Sequence, residues 1–256
     1  MPWRLRVSCS SVQLTLISIL PPPKPSVQTL ANMEFEPYTP HHFNTAPDIH
    51  DAYKTYESQN LEYFICTTIR DMFVAHSVHN LFGLTLLHNH FKLEEAEKLV
   101  HVENIAQPWN DHTARKELLA DVVPTQWRFT ESGIAPFEFS WTGNDRSISN
   151  FDIQQHKVFL RELQAFLKLQ SWLGVFGVQY LDTSVQAIGE ENVPVEMTRE
   201  RVNITLPFVL NEGDELANFE VLWSFDPIIQ LKKCCKGKCL DKQSGHPKSH
   251  THKTCN

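Results

Sequence analysis

No apolar run in the chain approaches the roughly 20 residues that a helix needs to cross a bilayer. The nearest N-terminal stretch, Val12 to Leu20, runs directly into Pro21-Pro22-Pro23, which cannot continue a helix. No membrane-spanning helix is expected. Also missing are G-x-S-x-G, the Walker A and G-x-G-x-x-G phosphate loops, and H-E-x-x-H. Serine-hydrolase, nucleotide-binding and zincin chemistry therefore have no motif to stand on. No internal repeat at a 20 to 50 residue period is present, which sets solenoids aside. Acidic residues are absent from residues 1 to 33, where Arg4, Arg6 and Lys24 accompany a serine-rich composition. That bias resembles an organellar presequence, although the proline cluster stands where a secretory signal would need small residues for cleavage. A start at Met33, where MEFEPYTP begins, is the other explanation, and either way residues 1–32 read as an extension outside the fold.

What is present is ordinary for a globular protein. The 256 residues are 41% hydrophobic and 21% charged, enough for one sizeable domain and too apolar for wholesale disorder. Charge is uneven: Leu231 to Asn256 carries +6, which leaves −13 on residues 1–230 against −7 overall. An acidic body repels nucleic acid, whereas a short basic tail suits a protein partner. The expected organisation is thus 1–32 extension, 33–230 single domain, and 231–256 basic Cys/His-rich tail, in a cytoplasmic or nuclear protein unless the extension is a presequence.

Periodicity predicts helices at Asp48 to Tyr56, Leu61 to Val78 and, most clearly, Phe151 to Leu173, where an apolar stripe runs through Phe159, Leu163, Phe166 and Leu167. Cys66 falls within the second helix as a core position rather than a nucleophile. Alternation predicts strands at Gln126–Phe129, Phe137–Trp141, Val175–Leu181, Val195–Phe208 and Phe219–Phe225. Leu81 to Phe91 and Leu99 to Glu103 read as a central β-hairpin. The order of elements predicts an α+β fold with a mainly antiparallel sheet of about six to seven strands, two N-terminal helices and one long helix.

Two groups of residues could carry chemistry. In the tail, Cys234, Cys235, Cys239, His246, His250, His252 and Cys255 fall close together, and thiolate and imidazole are the ligands zinc prefers. One usable set is Cys235, Cys239, His246 and His250, although the spacing C-x3-C-x6-H-x3-H is not that of a standard finger. Against it stands a solvated tail in which Lys and Ser separate the ligands and only Leu240 offers apolar support. The second group is His88 and His90, whose i, i+2 spacing places both rings on one face of a strand. A third ligand would come from His76, His79 or His101. Two histidines near a strand end are also common as plain structural residues.

The run GLTLLHNHFKL, the later Pro-Trp and the tail cysteines followed by Gly245-His246-x3-His250 resemble a group of uncharacterised fungal proteins. Those proteins share an LLHxHF segment and a C-terminal Cys/GHxxxH tail. The resemblance covers Met33 onward and implies domain extent but no activity. The chain departs from it in its first 32 residues and in His252 and Cys255. Two functions are accordingly expected: an interaction domain whose Cys/His tail binds zinc, or a metal-dependent enzyme using His88 and His90.

Overall fold

The computed structural model describes residues 33–143, 151–181, 193–207, 218–228 and 233–240. Eleven strands lie among them: β1 (Glu34–Phe35), β2 (Phe82–Leu86), β3 (Glu97–Val102), β4 (Ile105–Asn110), β5 (Val122–Phe129), β6 (Gly133–Trp141), β7 (Phe176–Tyr180), β8 (Pro194–Arg199), β9 (Val202–Pro207), β10 (Asn218–Phe225) and β11 (Lys233–Leu240). They form one sheet in the order β1-β6-β3-β4-β9-β8-β11-β10-β2-β7-β5, and β5 pairs back onto β6. Ten strands thus close into a barrel, with β1 added beside β6. The helices are α1 (Pro40–Asn44), α2 (Ile49–Ser58), α3 (Leu61–Phe64), α4 (Arg70–Ala75), α5 (Lys116–Leu119) and α6 (Lys157–Leu169), with a π-helical segment, Ile65–Ile69, joining α3 to α4. None is long and apolar enough to cross a membrane.

The expected α+β fold with six to seven mainly antiparallel strands is therefore overturned. Pairings β1–β6, β3–β6 and β8–β11 are parallel. Three of the strands lie where none was expected: β1, β4 and, within the tail, β11. The single strand expected at Val195–Phe208 is a hairpin, β8–β9, in which Glu200 takes a left-handed φ of +56° at the turn. The central hairpin is also different. β3 pairs with β4 and β6, whereas β2 lies between β10 and β7. Hydrophobic alternation reveals which residues face a core, but it is silent about which strand lies next door.

The expected helices are present, and each has a local cause. Asp48 caps α2, its side chain accepting from the Asp51 amide at 2.9 Å. α6 buries Phe159, Leu160, Leu163 and Leu167, the i, i+3, i+4 stripe read from its sequence. These helices cover one face of β2, β5, β7 and β10, and a single core joins Ile65, Ile69, Phe73, Phe159 and Leu163 to Phe82, Leu84, Trp127, Val178 and Trp223. Gly177 permits the close approach of β7 to β5, since a Cβ there would stand 2.3 Å from the Trp127 carbonyl oxygen. The opposite face of β2 is buried too, for Thr85 is paired with Leu222 and accepts from Gln126 Nε2 at 3.0 Å. A smaller core of Phe43, Ala46, Leu87, Leu93, Leu99, Ala106 and Phe137 ties α1 to the strands.

Candidate metal centre

β11 decides which tail cysteine can reach the rest of the chain. In a regular strand, residues four apart share a face. Here Leu222 pairs with Gly237 and Trp223 with Cys235, so Lys236 is an extra residue on β11. The bulge sends Cys235 to the helix side with Trp223, which stacks on Tyr56 of α2. Cys239 stays on the other face. It is fully buried and registered beside Glu196 across the parallel β8–β11 pair.

His88 and His90 arrive from the segment after β2. Asn89 between them is buried; its amide nitrogen donates to Pro47 O at 2.8 Å, and its side chain donates to Ala46 O. Anchoring the middle residue leaves both flanking rings free to converge. The His88 Nδ1–H donates to Leu86 O at 2.8 Å, which places the lone pair of a neutral ring on Nε2. That Nε2 lies 3.1 Å from His90 Nε2 and 3.1 Å from Cys239 Sγ. Cys239 Sγ is 3.7 Å from His90 Nε2 and 3.5 Å from Glu196 Oε2, and His90 Nε2 is 3.5 Å from the same carboxylate oxygen. One ligand atom from each of the four residues falls within 4.8 Å of the other three. A tetrahedral ion with bonds of about 2.0–2.3 Å would hold its donors about 3.3–3.8 Å apart. Five of the six separations are close to those edges and all six lie within 4.8 Å, so the group can hold one metal ion.

The electrostatics suit the same task. Burial, with the neighbouring His90, lowers the His88 pKa to about 4, so the ring is neutral and ready to coordinate at neutral pH. For Glu196, burial favours the neutral acid, but the hydrogen bond and charge of His90, and the charges of His101 and His88, outweigh it and hold the carboxyl below its usual range. Burial, then Glu196 and Glu138, push the Cys239 thiol well up. A cation at the centre would reverse that last effect, since coordination deprotonates a thiol.

The register places Glu196 and Glu138 on one face of the sheet: Glu196 shares a face with Thr198, which is opposite Asn203, then Ala106, then His101, then Ser140, two residues past Glu138.

Of the sequence candidates, His88, His90 and Cys239 meet. Cys235 does not join them; its Sγ lies 3.5 Å from Gly237 O. His246 and His250 are outside the described residues. Among the proposed third ligands, His76 pairs with Glu162 at 2.7 Å and His101 with Glu138 at 2.8 Å, while His79 holds a buried Nδ1 without a partner. Glu196 was missed. Its only signal is an acid set between Val195 and Met197 in a strand pattern. No family model, curated protein or solved structure matches the chain.

Proposed function

We propose that the protein binds one transition-metal ion, with zinc the expected metal, on His88, His90, Glu196 and Cys239. The observation that carries this reading is five donor separations of 3.1 to 3.7 Å, with all four donor atoms within 4.8 Å of one another, drawn from three distant parts of the chain. Two imidazoles, a thiolate and a carboxylate are a mixed donor set suited to zinc, whose d-shell imposes no geometry of its own. The reading joins the two sequence expectations, because one ligand comes from the tail and two from the histidine pair. Elemental analysis of untagged protein, loaded with zinc and passed through a desalting column, tests it. About one zinc per chain is expected, falling close to zero in a His88→Ala/His90→Ala double variant that retains the far-ultraviolet circular dichroism of the parent. A parent that retains no zinc, or a double variant that retains it fully, would reject the assignment.

A further inference from the structure

The cluster contains a single sulfur. Cys239 is fully buried, and among the described residues no second cysteine belongs to the group that can hold an ion. Cys235, four positions away, is turned to the other face by the bulge at Lys236, with its Sγ 3.5 Å from Gly237 O. That isolation bears on one metal in particular. Free copper(II) destroys thiols in pairs: two thiolates give one electron each to two copper ions and join as a disulfide. Cys239 has no second sulfur in the cluster to join.

The donors are also mounted on paired backbone. His88 Nδ1 donates to Leu86 O at 2.8 Å, the Asn89 amide beside His90 donates to Pro47 O at 2.8 Å, and Cys239 is in register with Phe219 on one side and Glu196 on the other. Such a frame limits how far the donors can follow a change in the charge of the ion. Thiolate suits Cu(I) and imidazole suits Cu(II), and two histidines with one cysteine are the ligand set of electron-transfer copper sites. Copper(II) also stands above zinc in affinity for sites of this kind. The His90 and Glu196 side chains are 10% and 27% exposed, which gives an electron a short way in from the surface.

Resting on the reading above that the four side chains form one metal centre, we infer that this centre also takes copper, on the Cys239 thiolate and the two imidazoles, and carries single electrons by cycling between Cu(II) and Cu(I). In the reducing step Cu(II) gains one electron from an ene-diol of the ascorbate class, which loses one electron and one proton to become its radical. In the oxidising step Cu(I) passes that electron to dioxygen. The donors stay bound throughout, and no bond within the protein forms or breaks.

Untagged full-length protein, freed of metal and titrated with copper sulfate in the absence of oxygen, tests the inference. An intense visible band from sulfur-to-copper charge transfer should saturate at about one copper per chain. The band should vanish with ascorbate and return in air. Cys239→Ser should abolish it, whereas Cys235→Ser and His246→Ala/His250→Ala should keep it in full; the last two assign the sulfur if Cys239→Ser does not fold. Zinc-binding protein that shows no such band, a band lost with Cys235 or with the tail histidines, or a colour that air does not restore would overturn the copper cycle while leaving the metal site standing. Protein that retains neither zinc nor copper would instead remove the metal reading, and this inference with it.

Discussion

Cys239 and Glu196 are register partners on adjacent parallel strands, and their side chains meet at 3.5 Å. The β8–β11 pairing that contains them registers just two residue pairs, Lys238 with Val195 and Cys239 with Glu196. An ion held by both side chains would clamp one of the shortest seams in the barrel wall.

Metal should therefore stabilise the fold. A ligand at 1,000 times its dissociation constant adds about 4 kcal/mol to the native state. Thermal melts with zinc and with a chelator should differ accordingly, and Cys239→Ser should abolish the difference. Equal melting temperatures in the parent under both conditions would contradict the clamp.

The two tail cysteines should behave oppositely. Cys239→Ser should lower zinc content sharply, while Cys235→Ser should leave it unchanged, because the bulge at Lys236 turns Cys235 toward Trp223. A His246→Ala/His250→Ala variant should also retain its zinc. Loss of zinc from Cys235→Ser would restore the tail set as the ligand group.

Asn89 should matter without touching the ion. Its side chain donates to the Ala46 carbonyl, and removing it leaves that buried acceptor unmet at a cost of about 1–3 kcal/mol. Asn89→Ala should weaken zinc binding by about tenfold, the low end of what supporting residues contribute. Competition with a coloured chelator measures this, and unchanged affinity would show that the histidine pair is held by other means.

Stability should fall in acid partly through Glu97. Burial works against its charge, but the Arg201 hydrogen bond, the Glu94 amide and the Arg201 charge lower its pKa overall, with the Arg201 contact at 2.5 Å. A depressed carboxyl adds stability above the ordinary carboxylate range and loses it as pH falls through the folded value. Arg201→Gln should lower stability at pH 7 by on the order of 1 kcal/mol or less, since Arg201 is partly exposed. The gap between the two proteins should close as pH drops toward about 4. Melts that keep a constant gap down to that pH would exclude this linkage.

The apolar frame tolerates no added methyl at Gly177, where a Cβ would meet the Trp127 carbonyl at 2.3 Å. Gly177→Ala should destabilise by about 1–3 kcal/mol through forced separation of β5 and β7. Chemical denaturation is the check, and a neutral result would mean that the strands can part at no cost.

Local pattern and long-range pairing were not equally legible. The stripe of α6 and the start of α2 near Asp48 could be read directly, because a helix is made of residues close in sequence. His88 and His90 stood out for the same reason, being two residues apart. Cys239 was visible as a ligand type, but its partners lie 149 and 151 positions away, and the bulge that separates it from Cys235 has no signature in Lys236 itself. Glu196 is one of 30 acidic residues, with nothing local to mark it. Barrel closure depends on β5 meeting β6 and β8 meeting β11, and the parallel seams are invisible to any rule of alternation.

β11 is the last described strand in chain order, and it enters between β8 and β10. On a ribosome, His88, His90 and Glu196 would emerge well before their fourth companion. They could hold an ion only loosely until Cys239 arrived with the strand that completes the ring. Tight metal retention would then be a certificate of finished assembly, separating matured chains from those still waiting to close.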